Sequence, residues 1–315
     1  MIRARQCTLR HGIDIEGLGL HSGAKVRMSL IPAAPDTGIV FVRTDVSPAA
    51  TIPARVENVV DTSLATRLGA RMEDGQLVRV DTVEHLMAAL YGLGIDNLRI
   101  EMRGPEVPVM DGSSAPFVRL MQAAGLRSQN AGKRMMIIRR PIEVRDGDRL
   151  ARLTPSRSMR VSCMVDFDHP LIRDQKIEVD VSPSSFQREL SSARTFGFLK
   201  DVERLKAAGL ALGGSLENAV VIDDFSVLNA GGLRFPDEFA RHKALDAIGD
   251  LALFGMPVLG HLTAVRSGHA LANELARSVL QEPRSFEVVE LEPVEAEYER
   301  LDEALPAYGL ADAAA

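Results

Sequence analysis

The sequence predicts an α+β protein built from two copies of one unit, and three observations carry that prediction. Each half opens on strand-like patterns, then carries one long helical stretch that stops at glycine and runs into a strand. The stretches EHLMAALYGLGIDNLRI and RHKALDAIGDLALFGMPVLGHL share a histidine, an apolar helix, a glycine stop and a following strand. Between them lies a polar break, RSQNAGKR, from Arg127 to Arg134. At 315 residues the chain holds two domains of the usual ~150 residues. The expected layout is a first domain over residues 1–126, a linker over 127–134, a second domain over 135–281 and an acidic tail over 282–315.

In the first half, KVRMSLIP alternates and TGIVFVRTD is β-branched and apolar, so both are expected strands. TVEHLMAALYGLG places Val83, Leu86, Met87 and Leu90 on one helical stripe facing the core. Gly92 and Gly94 end that helix, IDNLRIEM follows as a strand, and PFVRLMQAAGL reads as a second helix. After the break, MMIIRRPIEVRDGDRLARL reads as strand, turn at Asp146-Gly147, strand. RVSCMVDF alternates like a strand that buries the Cys163 thiol. The stretch from SSARTFGF to VVIDD reads as a helix-plus-strand insert, with Phe198, Leu199, Val202, Leu205 and Ala208 at helical spacing and a helix expected to dock on the core. Its GLALGG is small and apolar enough to leave a channel open. PDEFARHKALDAIGDLALFGM starts near Pro236 with Asp237 and Glu238 beside it, runs helically to Gly255, and VLGHLTAVRSG follows as a strand.

Composition excludes several classes. With 46% hydrophobic and 25% charged residues the chain is an ordinary globular protein. The net charge of −6 is concentrated in the last 34 residues, where ten acidic residues face Arg284 and Arg300; the remaining 281 residues carry +2. A body this close to neutral lacks the basic footprint of nonspecific nucleic-acid binding, and 4% aromatics without Trp argues against stacking platforms. Two isolated cysteines, Cys7 and Cys163, exclude a disulfide framework or a Cys-rich zinc site. The N-terminal stretch has no apolar h-region, and the longest uncharged run, Leu251 to Val265, is too short and broken to span a bilayer. The cytosol is the expected location, without stable membrane insertion, and a monomer is the expected state.

The densest chemistry lies in RHKALDAIGD. His242 and Asp246 are four apart and share a helix face with Gly249 and Asp250, on the side away from the core stripe of Leu245 and Ile248. An exposed His/Asp face is the plain reading; two metal ligands is the chemical one. His85, after Glu84 at the matching point of the other helix, completes a two-His, one-carboxylate set. That is the ligand count of catalytic zinc, with Glu84 placed to take a proton from water. Non-haem iron(II) oxygenases use the same set, and spacing alone does not separate the two. His269 in SGHAL is a helix-cap residue on the plain reading; on the chemical one, paired with Asp250, it stays protonated as a proton donor. Thr195 in ARTFGF either satisfies a turn, as such a Thr more often does, or offers a hydroxyl to a developing oxyanion. His21 sits in the Gly-rich turn GLGLHSG, where backbone approaches a ligand. His11, His169 and His261 have no evident role.

Taken in order, TVEHLMAALYGLGIDN, MDGSSAPF, SSARTFGF, GLALGGS, LRFPDEFARHKALDAIGDL and SGHAL closely resemble the UDP-3-O-acyl-N-acetylglucosamine deacetylase family, over roughly residues 3–280. These are zinc hydrolases of the committed step of lipid A synthesis in Gram-negative bacteria. The resemblance implies two similar two-layer sheet-and-helix domains with the active site between them. Each carries an insert, here expected at residues 36–80 and 194–224. It implies His85, His242 and Asp246 as zinc ligands (iron(II) being the other cellular candidate), Glu84 as general base, and His269 as general acid with Asp250 its partner. Thr195 then serves the oxyanion and Lys243 the carbonyl or the diphosphate. Phe196 is placed near the sugar. Phe198, Leu199, Val202, Ala211 and Leu212 are placed along a passage for the acyl chain of an acylated UDP-sugar. The family commonly has Cys where Ala211 stands, and Met or Cys at Ser63 and Ala65, departures that bear on the width of the passage.

Overall fold

Alternation becomes strand, and helical stripe becomes helix, nearly everywhere the sequence shows them. The computed structural model describes residues 4–292. The first half runs β1 (Arg5–Leu9), β2 (Ile13–Leu18), β3 (Lys25–Pro32), β4 (Ile39–Arg43), β5 (Ala50–Pro53), β6 (Val59–Asp61), β7 (Arg67–Arg71), β8 (Leu77–Val80), α1 (Glu84–Leu93), β9 (Leu98–Arg103) and α2 (Ala115–Ala124). The second half runs β10 (Leu126–Ile138), β11 (Ile142–Asp146), β12 (Arg149–Thr154), β13 (Arg160–Val165), β14 (Gln175–Asp180), the short α3 (Pro183–Ser185), β15 (Phe196–Phe198), α4 (Leu199–Ala207), β16 (Val220–Ile222), α5 (Glu238–Leu251), β17 (Val258–Leu259), β18 (His261–Val265), α6 (His269–Gln281) and β19 (Phe286–Leu291).

The two halves repeat one topology. The first sheet has the order β2-β3-β9-β4-β5 and the second β11-β12-β18-β13-β14. In each, two hairpins flank a central strand that arrives after the long helix, antiparallel to one neighbour and parallel to the other. Between second hairpin and helix each half carries its extra piece: the three-stranded sheet β6-β7-β8 in one, and α4 with the parallel pair β15-β16 in the other. Helices α1 and α5 are therefore equivalent positions of a duplicated unit. They pack directly against each other, while α5 and α6 cover the second sheet. One apolar cluster runs through both halves, and Val83, Leu86, Met87 and Leu90 are all buried in it.

Four expectations are corrected by the structure. Residues 127–134 are not a solvated linker but part of the 13-residue strand β10, whose edges pair with β1, β17 and β19. Two of their polar side chains are themselves buried and bonded: Gln129 Nε2 donates to the Ala33 carbonyl, and Lys133 reaches Asp96 at 2.9 Å. The acidic stretch after residue 281 begins with β19, paired along β10, because FEVVEL alternates well enough to add an edge strand; the rest of that tail, residues 293–315, lies outside the described residues. Of residues 36–80, β4 and β5 complete the main sheet, and only β6 to β8 form a separate one. Finally, Phe198 closes a strand rather than opening a helix, and α4 buries none of its residues, since five of its nine side chains are charged.

Close approach of α1 and α5 depends on Gly249. A Cβ there would stand 2.1 Å from the Glu84 carbonyl oxygen, a main-chain atom that cannot swing aside. Gly249→Ala is expected to force the helices apart and destabilise the protein by about 1–3 kcal/mol, as overpacking does. A thermal melt with a Tm equal to wild type would contradict this packing account.

Candidate active site

Three elements from different parts of the chain converge: the N-terminal turn of α1 with Glu84 and His85, the middle of α5 with His242, Lys243, Asp246 and Asp250, and the first residue of α6, His269. Glu84, His85, His242, Asp246, Asp250 and His269 are all buried. The α5 face that points away from the hydrophobic stripe is thus not a solvated face. It is covered by α1 and α6, and the polar residues on it face one another.

His85 Nε2 lies 3.5 Å and His242 Nε2 3.2 Å from Asp246 Oδ1, and the three donor atoms fall within 4.8 Å of one another. His242 Nδ1 donates to the Ala193 carbonyl at 3.1 Å, which fixes the tautomer and turns the Nε2 lone pair inward. Burial, against the pull of Asp246, pushes His242 down to about 3, so its imidazole is neutral. Asp246 Oδ2 accepts from Lys243 Nζ at 2.9 Å, whereas Oδ1 is buried with no hydrogen-bond partner. A buried carboxylate oxygen facing two imidazole nitrogens without a hydrogen bond is costly unless a cation completes it. The donor set of two nitrogens and one carboxylate oxygen suits a divalent transition metal.

Beside this triangle His269 stands between two buried carboxylates. His269 Nδ1 is 2.9 Å from Asp250 Oδ2, and its Nε2 is 3.6 Å from Glu84 Oε1. Burial opposes the imidazolium, but Asp250 and Glu84 outweigh it and raise His269 to about 9. Burial raises Glu84 above the usual carboxylate range against the pull of His269 and His85. Lys243 is pushed up despite burial because Asp246 holds its charge.

Sequence reasoning missed the residue that ties these groups together. The Thr66 N–H donates to Glu84 Oε2 at 3.0 Å, and its hydroxyl donates to Asp250 Oδ1 at 2.5 Å. Thr66 arrives from the loop before β7, and nothing in DTSLATR marks it, because its partners lie 18 and 184 positions away. The Ser114 hydroxyl, also unforeseen, holds the His85 carbonyl at 2.7 Å. Arg194 and Glu238, paired at 2.9 Å in a buried bridge, brace the chain that delivers the Ala193 carbonyl and Thr195.

The remaining candidates form the surroundings. Thr195 is half-buried, its N–H bonded to the Gly112 carbonyl. Phe196 packs edge-on to Phe239 at 4.9 Å and to the His242 ring at 6.3 Å, with Lys243 Nζ 5.9 Å from its centroid. Phe198 meets Phe167 and His169. Leu199 and Leu212 are exposed, and Val202 and Ala211 half-buried. His21 is half-buried with its Nδ1 unpartnered; burial lowers its pKa against the pull of Glu106, and the charges of Arg67, His85 and His269 act in the same direction as burial.

A family profile described as UDP-3-O-acyl N-acetylglycosamine deacetylase matches residues 6–281. The chain is 59% identical to the UDP-3-O-acyl-N-acetylglucosamine deacetylase of Myxococcus xanthus (strain DK1622), over 90% of this chain and 89% of that one. It is 56% identical to that of Anaeromyxobacter sp. (strain Fw109-5), over 91% and 92%. It is 50% identical to that of Shewanella oneidensis, over 91% and 93%.

Two measurements check this geometry. Thr66→Val keeps the shape and the N–H but removes the hydroxyl bond to Asp250; turnover is expected to fall at least tenfold with metal content intact, and Thr66→Ser to restore most of it. Equal activity in Thr66→Val and wild type would remove Thr66 from the site. For Glu238, burial alone would raise the pKa, but the bonds from Arg194 and the Arg234 N–H hold it below the ordinary value of about 4.3. Its contribution to stability is therefore full above that value and lost as pH falls through the lower, folded-state value. Urea midpoints taken from pH 7 down to pH 3 should show a shallower acid loss in Glu238→Gln than in wild type, and parallel curves would refute the assignment.

Proposed function

The chain belongs to the UDP-3-O-acyl-N-acetylglucosamine deacetylase family, and on that premise we propose that the buried cluster between α1, α5 and α6 is where it acts. It is a hydrolase of lipid A biosynthesis that removes the N-acetyl group of UDP-3-O-acyl-N-acetylglucosamine. The observation that carries the siting is the unpartnered Asp246 Oδ1, facing two imidazoles beside a pre-paired acid and base.

His85, His242 and Asp246 hold the metal, assigned as zinc, which when bound supplies Lewis acidity to water and to the amide carbonyl. Glu84 is the base. Its Oε2 is engaged by the Thr66 N–H, which leaves Oε1 to receive the proton of the attacking water. Raised basicity from burial suits that task. The Thr195 hydroxyl donates to the oxyanion as the carbonyl carbon becomes tetrahedral. His269 enters protonated, anchored through Nδ1 by Asp250, and passes its Nε2 proton to the glucosamine nitrogen as the C–N bond breaks. The products are acetate and the free amine. Lys243 neutralises Asp246 Oδ2 and extends positive charge toward the carbonyl.

Phe196 packs beside the sugar. Phe198, Leu199, Val202, Ala211 and Leu212 offer the apolar surface along which the acyl chain lies, and His21 contacts the polar part of the substrate. Among the described residues no helix is long and apolar enough to cross a membrane. The protein works in the cytosol as a monomer, without nucleic-acid partners.

Amine release from UDP-3-O-acyl-N-acetylglucosamine should vanish on metal removal and return at about one zinc per chain. Recovery with iron(II) and not with zinc would overturn the zinc assignment. Glu84→Ala should cost about 10²–10⁴ in turnover while metal content, read by atomic absorption, stays at wild-type level. Full activity in Glu84→Ala would remove it as the base.

A further inference from the structure

Outside the reacting cluster stands a buried carboxylate that the chemistry above does not use. Glu106 has no exposed surface and accepts four hydrogen bonds. The His21 N–H (2.9 Å) and the Thr82 hydroxyl (2.8 Å) meet Oε1; the Ser22 N–H (2.8 Å) and hydroxyl (2.6 Å) meet Oε2. Burial by itself would raise its pKa, but these donors prevail and keep the carboxylate charged. Three of the four come from the turn at residues 19–23, so an ionised Glu106 acts as a core around which that turn is wrapped. Contact is close enough that a Cβ at Gly19 would stand 2.3 Å from Glu106 Oε2.

The wrapped turn supports a second loop from the other half of the molecule. The Leu212 N–H donates to the His21 carbonyl at 3.1 Å and the Gly213 N–H to the Leu20 carbonyl at 3.0 Å. Gly213 is the tight point, since a Cβ there would lie 2.2 Å from the Gly19 carbonyl oxygen. Ala211 takes the left-handed backbone (φ 53°) to make the approach. At its other end the loop is tied by Asn218, which bonds the Gly213 carbonyl and the Ser215 N–H, and by the Val220 N–H on the Thr195 carbonyl. The bridge therefore joins the His21 turn to the segment carrying Thr195. On it Leu212 stands 51% exposed beside Gly23, with Leu20 half-buried next to it.

We propose that Glu106 is a positioning residue for acyl-chain recognition: it holds residues 19–23 as a ledge, and the apolar loop 211–214 closes on that ledge to form one wall for the chain. The role rests on the deacetylase reading above. Ionised Glu106 is needed because all four of its contacts are donors; an amide presents an N–H₂ to groups that already donate. Loss of the ledge frees Leu212 and leaves the metal triangle, held by α1 and α5, in place.

The test is steady-state kinetics of the zinc-loaded full chain on a UDP-3-O-acyl-N-acetylglucosamine and on UDP-N-acetylglucosamine without the acyl group. Both Glu106→Gln and Gly213→Ala should lower the ratio of the two kcat/KM values about tenfold or more, chiefly by raising KM for the acylated substrate, with one zinc per chain retained. An unchanged ratio, whether both substrates lose equally or neither does, would overturn the proposal. Should Glu106→Gln not fold, Gly213→Ala decides alone, since it breaks the bridge and leaves the four bonds on Glu106 intact. Wild-type protein that deacetylates neither substrate would instead remove the reaction itself, and the acyl role with it.

Discussion

Contact between the Glu84 carbonyl and the bare α-carbon of Gly249 sets how near α1 comes to α5, and the grouping of His85, His242 and Asp246 follows from that distance. His85 and Glu84 sit on one helix, His242, Asp246 and Asp250 on the other, and no segment of local sequence brings them together. Interiors pack at crystal-like density, so a methyl group at this crossing is not absorbed by slack. The same crossing explains why the polar face of α5 tolerates burial: Asp250 is bonded by Thr66 and His269 from other elements, while Asp246 Oδ2 is bonded by Lys243 of its own helix.

That polar interior is stable only as a network. Asp250 is bonded by His269 and by Thr66, Glu84 by the Thr66 N–H, and Asp246 Oδ2 by Lys243. Opposite charges keep His269 protonated and Lys243 charged where burial alone would neutralise them, whereas His242, with burial dominant, stays neutral. Two imidazoles of one cluster thus differ in charge because of what surrounds each one. The asymmetry sets a neutral His242 and a cationic His269 within one buried cluster, and Asp246 Oδ1 stays without a hydrogen-bond partner there.

Duplication supplied the scaffold and the inserts supplied the differences. Both sheets share one strand order, and both extra pieces fall at the same point of the repeat, before the long helix. The first brings Thr66 to the carboxylates from beside β7; the second brings Thr195, Phe196 and the loop at 211–214. A repeat of two sheets and two long helices was visible as periodicity, since burial on one face imposes it. The boundaries of the inserts were not, because β4 and β5 read the same whether they pair with β9 or stand apart. The strand at residues 127–134 was hidden for a related reason: Gln129 and Lys133 look solvated until their burial and their distant partners, Ala33 and Asp96, are known.

Residue types and spacing by themselves determined the α+β class and the two matching helices, since helical periodicity is a local property. They marked Glu84, His85, His242, Asp246, Asp250 and His269 only as candidates that an exposed helix face would have explained as well. Tertiary structure alone decided that the α5 polar face is buried, that Thr66 joins Glu84 to Asp250, and that Glu106 carries the turn on which the second insert rests. Those facts depend on contacts between residues up to 184 positions apart, and chain order does not encode which distant donors will meet a buried carboxylate.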